Sequence, residues 1–228
     1  MKLLGSFARL MSIALATAAT LALAGPAMAQ IRSEPQLSNA DNAMALETLG
    51  HRVILPLPDW LGADQRVSSD VLPPIDTTYR ADEVQSLLQV YPKGESEALW
   101  STLYGVRTAL ATGVSLSQYR QLVMGGYAQN CIPELTSFHQ LGPDEGEALA
   151  PLIMVCGAYK NSLAGYRGLG EVMVMQFAKT EQAVAVVFQE WRGKAFDPAQ
   201  STGWPVPSDV VEARAHELQS GTALTLAD

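Results

Sequence analysis

Two runs near the C-terminal third constrain the fold most. Glu171–Lys179 and Ala183–Arg192 are β-rich segments separated only by Thr180-Glu181-Gln182, a hairpin-length connection. Within them, Val172-Met173-Val174-Met175 and Ala183-Val184-Ala185-Val186-Val187-Phe188 are apolar at odd and even positions alike. A strand sends successive side chains to opposite faces, so an apolar residue at every position means that both faces are covered. The hairpin therefore predicts the middle of a sheet with a layer packed on each side.

The remaining segments are read around that hairpin. Leu135–Leu141 and Leu152–Cys156 read as further strands, and Gly142-Pro143-Asp144-Glu145-Gly146-Glu147 as a turn. His51–Pro58 is β-branched and apolar, and its two prolines confine it to an edge or a strand end. Glu83–Tyr91 reads as a strand with helix as the competitor. The spacing of Leu99, Leu103, Val106 and Leu110, four, three and four, predicts a helix over 95–112 capped by Ser96. A second helix is expected from Ser115 or Ser117 to about Gln129, and a last one over 207–219 with Ser208 as cap. Residues 30–50 read as a flexible leader with a short helix over Asp41–Leu49 stopped by Gly50. Residues 157–170, with four glycines, read as a long mobile loop, and 220–228 as a frayed tail.

Strand runs segregated from helices give an α+β fold with a largely antiparallel sheet and helices packed on its faces, in one domain over 51–219. Ile54-Leu55-Pro56-Leu57-Pro58-Asp59-Trp60, then Gly94-Glu95-Ser96 leading to Trp100, and the late hairpin ending in Glu190-Trp191-Arg192 resemble the Mog1/PsbP-like sandwich at the level of topology. The resemblance spans most of 51–219. It implies that fold and no activity.

The N-terminus carries an address. Lys2 and Arg9 precede an apolar stretch, Leu10–Ala24, and Ala27-Met28-Ala29 is a small-x-small cleavage pattern. Residues 1–29 are thus expected to be a signal peptide, with Gln30 first in the mature chain. The bacterial style of the signal favours the periplasm, with secretion as the alternative. No later apolar run reaches the roughly 20 residues that span a bilayer, so no integral membrane segment is expected after cleavage. In an oxidising compartment the two cysteines, Cys131 and Cys156, are expected to form one disulfide.

Fifteen Lys+Arg stand against 23 Asp+Glu, a formal charge of −8, which argues against nucleic acid as a partner. There is no G-x-S-x-G elbow and no phosphate-binding loop. His216-Glu217 lacks the second histidine of a zinc helix, and the three histidines, 51, 139 and 216, lie in separate segments. Gly165, Gly168 and Gly170 have the wrong order and context for a dinucleotide fingerprint, and Asp144, Glu145 and Glu147 lack a calcium-loop pattern. No metal, cofactor or catalytic residue is assigned. The binding surface is expected at the loop 157–170 and the adjoining strand end, through Tyr159, Tyr166, Arg167, Glu190, Trp191 and Arg192. The reading is an exported cell-envelope binding or assembly-support module, taking an envelope protein or a small ligand. The alternatives are a periplasmic hydrolase using carboxylates such as Glu171 or Glu190, and a small-ligand carrier. A concave pocket with convergent ionisable groups would favour the hydrolase, a flat aromatic patch the partner-binding module, and an apolar cavity the carrier.

Overall fold

The computed structural model describes residues 35–40, 43–61 and 75–227. The expected signal peptide and its cleavage site lie outside the described residues. Two antiparallel sheets and two helices make an α+β domain. The smaller sheet has the order β1-β2-β3-β11, from β1 (Gln36–Ala40), β2 (Ala43–Thr48), β3 (His51–Pro56) and β11 (Ala223–Leu226). The larger has seven strands in the order β4-β5-β6-β10-β9-β8-β7. These are β4 (Ile75–Ala81), β5 (Gln85–Pro92), β6 (Thr102–Leu110), β7 (Thr136–Gln140), β8 (Leu152–Cys156), β9 (Leu169–Lys179) and β10 (Ala183–Lys194). Helix α1 (Leu116–Ala128) carries the chain from β6 to the far edge, and the β7–β10 meander returns it until β10 pairs with β6.

The late hairpin is as central as its composition requires. β10 pairs with β9 on one side and β6 on the other, and β9 pairs with β8. One face of the sheet sends Val172, Val174, Ala185, Val187 and Trp191 against the smaller sheet's Leu46, Val53 and Leu55 and against Val211, Ala215 and Leu218 of α2 (Ser208–Gly221). The other face sends Met173, Met175, Phe177, Val186 and Phe188 toward Leu116 and Tyr119 of α1 and the Cys131–Cys156 disulfide. The disulfide, Cα to Cα 5.8 Å, ties the residue after the α1 turn to the end of β8.

Three expected elements are corrected. Residues 95–112 are not a helix but a tight turn followed by β6. Leu99 is 76% exposed, and Tyr104 and Val106 are fully buried against the smaller sheet while Leu103 faces α1. The helix over 41–49 is strand β2 as far as it is described. Leu49 and Gly50 both have positive φ, 53° and 72°, and form the two-residue turn between the paired residues Thr48 and His51. The tail is not frayed at 223–226, because β11 pairs with β3 and buries Leu224. Leu224→Ala is expected to cost about 2 kcal/mol in a denaturant titration, as core leucine truncations do; a loss within about 0.5 kcal/mol, the surface range, contradicts the packing of β11.

Candidate functional site

The site begins with a register. Glu171 of β9 is opposite Arg192 of β10, and Glu190 is opposite Met173. Glu171 and Glu190 are therefore diagonal neighbours on one face of the hairpin, in the row that continues as Met173, Met175 and Phe188. Two carboxyls thus occupy positions where the same strands elsewhere carry methionine and phenylalanine. Both are withdrawn from water, Glu171 at 1% and Glu190 at 5% exposure.

Three segments close over them. Tyr127 comes from the last turn of α1, Trp100 from the β5–β6 connection, and Tyr159 and Tyr166 from the loop after β8. Together with the two glutamates they line a cavity of about 240 Å³. The Tyr159 hydroxyl donates to Glu171 Oε2 in a close hydrogen bond. The Tyr127 hydroxyl donates to Glu190 Oε1 at 3.5 Å. Arg192 lies between two rings, its guanidinium carbon 3.9 Å from the Trp100 centroid and 5.0 Å from that of Tyr166. Its Nε and Nη2 donate to the Trp100 carbonyl at 3.1 and 2.6 Å. The Tyr159 and Tyr166 rings pack with centroids 4.8 Å apart.

Burial raises the proton affinity of both carboxyls. Glu171 is pushed up to about 7 by desolvation, against the opposing pull of the Tyr159 hydrogen bond and the Arg192 charge. Glu190 is raised well above the usual carboxylate range, first by desolvation and then by the charge and hydrogen bond of Glu171. The two carboxyls are coupled and titrate as a pair, both held above the ordinary carboxylate range. The Tyr127 hydroxyl is also raised, by burial and then by Glu190, so it stays a donor.

The loop is held rather than loose. Ile132 and Lys160 backbone N–H groups bond to Ala158 and Asn130 carbonyls, Tyr159 N–H to Leu169 O, and Lys160 Nζ to Gln129 O. Two of its glycines answer to close packing. A Cβ at Gly157 would meet Phe196 O at 2.5 Å, and one at Gly170 would meet Gly157 O at 2.5 Å.

Of the residues expected at the surface, Tyr159, Tyr166 and Glu190 line the cavity, and Arg192 stacks between two of its walls. Trp191 does not join them. The period of two turns it to the opposite face, where it packs in the core between the sheets. Arg167 faces solvent, with its Nη2 3.5 Å from the Asn161 carbonyl. Trp100 and Tyr127 were hidden in segments read as helical stripes, and Glu171 stood out only as an acid at the head of an apolar strand. His51, buried, bonds through Nδ1 to Leu49 O and through Nε2 to Thr180 Oγ1. Asp144 is held by Arg120 and by the Ala150 N–H. Among the described residues no helix is long and apolar enough to cross a membrane. No protein-family model, no curated protein and no solved structure matches the chain.

Proposed function

We propose that the protein is an exported, periplasmic binding protein whose target is a small molecule taken into the cleft over β9 and β10. This is the carrier reading rather than the flat partner-binding surface, with a floor of two carboxyls where an apolar cavity is expected of a carrier and convergent ionisable groups of a hydrolase. The observation that carries it is the buried Glu171–Glu190 pair at the floor of a cavity with aromatic walls. Two adjacent carboxyls out of water cost more than the methionine or leucine the same strand positions accept elsewhere. Stability given up at one concave place is the ordinary mark of a binding or reaction site. The disulfide fits an extracytoplasmic compartment.

Native mass spectrometry of the protein taken gently from its own envelope is the test. We expect a discrete added mass that is lost on denaturation and is absent from Glu171→Gln. A bare wild-type mass in every preparation overturns the reading. A hydrolase remains the second reading, because two carboxyls of unequal proton affinity are the usual acid and base of such enzymes. Released product from the captured compound, abolished in Glu190→Gln, would select it.

A further inference from the structure

We infer that the ligand of this cleft is an organic cation, whose ammonium group sits against the buried Glu171–Glu190 pair among Trp100, Tyr127, Tyr159 and Tyr166. The inference rests on the cleft being a small-molecule site.

The charge inventory is the first argument. The groups facing the pair are Arg192 beside it on β10, Tyr127 from α1, Tyr159 and Tyr166 from the loop, and Arg107 of β6 and Glu97 of the β5–β6 connection among the lining residues. Glu97 is bonded to Arg80, and Arg107 is itself exposed. The floor of the site therefore holds two buried carboxyls and the half-buried Arg192 guanidinium, and Arg107 stands at its exposed rim. Arg192 is already engaged by the Trp100 carbonyl and two rings. With both carboxyls ionised the floor is one positive charge short, and a proton on the pair makes up that charge. A ligand ammonium supplies the same charge with three N–H donors for the carboxylate oxygens.

The walls are the second argument. Trp100 and Tyr166 already hold one guanidinium between them, which shows that these walls suit a cation, and the Tyr127 and Tyr159 hydroxyl oxygens, donating to the carboxyls, keep lone pairs that can accept from an ammonium. A third observation concerns room for the rest of the ligand. The neighbouring hollow, about 310 Å³, shares Arg107, Tyr127 and Asn130 with the cavity and is lined by Tyr119. Tyr119 is 8% exposed, and its hydroxyl has no hydrogen-bond partner. A buried hydroxyl left unpaired on a cavity wall is a place for a polar group of the ligand. In the binding step, R–NH3⁺ enters, the proton on the pair leaves to solvent, and both carboxyls are then ionised.

Three isosteres that differ in charge make the test: benzylammonium, benzyl alcohol and benzoate, each titrated calorimetrically into the full protein. Buffers of different ionisation heat count the protons released. We expect benzylammonium to bind at least tenfold more tightly than the alcohol, with net proton release. Its affinity should rise from pH 7 to 8, by up to tenfold per pH unit for each proton released. In Glu190→Gln we expect at least a tenfold loss of binding and a smaller proton release, whereas Arg167→Ala leaves both unchanged. Equal binding of the alcohol, tighter binding of benzoate, absence of proton release, or no binding of any isostere overturns the inference; the wild-type series alone decides it, should Glu190→Gln fail to fold. If the isosteres fail while envelope-derived protein carries a neutral or anionic compound, the cleft reading stands and the cation falls. If that protein is also bare, both fall.

Discussion

Replacing Cys131 and Cys156 together by alanine is expected to lower stability by about 3.5 kcal/mol, the chain-entropy value for a closed loop of this length. The two cysteines are 25 residues apart in sequence. The loop they close contains β7, β8 and the turn between them, so the bridge restricts a long stretch of the unfolded chain. Both cysteines are fully buried, and alanine leaves no unsatisfied polar atom in their place. The loss extends to the site. Cys131 forms an isolated bridge with Tyr159, and Lys160 bonds back to Gln129 and Asn130. Freeing the α1 end from β8 loosens the segment that holds the Tyr159 hydroxyl against Glu171. A guanidinium titration should show a lower midpoint and a slope no shallower than that of the wild type, because the uncrosslinked unfolded chain exposes more surface. Reduced wild-type protein should move the same way. A shift below about 1 kcal/mol, within the spread of ordinary single substitutions, contradicts the placement of the bridge as the anchor of this corner.

The parts of the fold that could be read from sequence are those where one periodicity excludes the other. β9 and β10 are too uniformly apolar and too long for an edge, and both are central. Both helices were legible, and at α1 Ser115 and Gln118 form a reciprocal cap, whereas at α2 the expected cap Ser208 is the first helical residue and Pro207 occupies the cap position without a side-chain bond. The failure at 95–112 has a definite cause. β6 lies between β5 and β10 with layers on both faces, so Leu103, Tyr104 and Val106 are all apolar for different neighbours. Selecting one residue from each face yields intervals of three and four, which imitate a helical stripe. Gly105 was the contrary signal: a Cβ there would collide with the Leu88 carbonyl oxygen, the close strand contact of a covered sheet. β11 was unreadable for another reason. Four residues carry too little pattern of their own, and their state is decided by the open edge of β3. The site was half legible. Composition pointed to the loop and the strand end, but the residues that complete the cavity come from α1 and the β5–β6 connection. Their convergence depends on the crossover that carries α1 across the sheet.

Stability is expected to fall as pH rises from 5 to 8, with Glu171 alone accounting for about 3 kcal/mol and Glu190 adding to it, at a limiting slope of about 1.4 kcal/mol per pH unit for each proton. The direction follows from the buried pair. Glu171 and Glu190 bind protons more tightly in the folded state than the ordinary 4.5, Glu171 to about 7 and Glu190 above that. Their stabilising contribution is complete below the unfolded value and is lost as pH climbs through the folded values, where the native state holds protons that the unfolded chain has released. Asp76, Asp82 and Asp144 work the other way, each lowered below 3.8 by hydrogen bonds. They give up stability only as pH falls below the ordinary aspartate range, outside this window. Glu190→Gln keeps the side chain's shape and removes one ionisation. It should flatten the profile and leave the variant about 1–2 kcal/mol more stable than wild type at pH 8, as relieving a buried charge often does. Denaturant midpoints of the two proteins at pH 5, 6, 7 and 8 measure both effects. A flat wild-type profile would mean that the carboxyls ionise freely in the native state, and the buried pair would then not be the feature around which the cleft is built. A falling profile that Glu190→Gln leaves unchanged would move the responsible proton elsewhere. An organic cation should act in the opposite sense to rising pH: by supplying the charge that a proton on the pair otherwise supplies, it should restore most at pH 8, where that proton is held least.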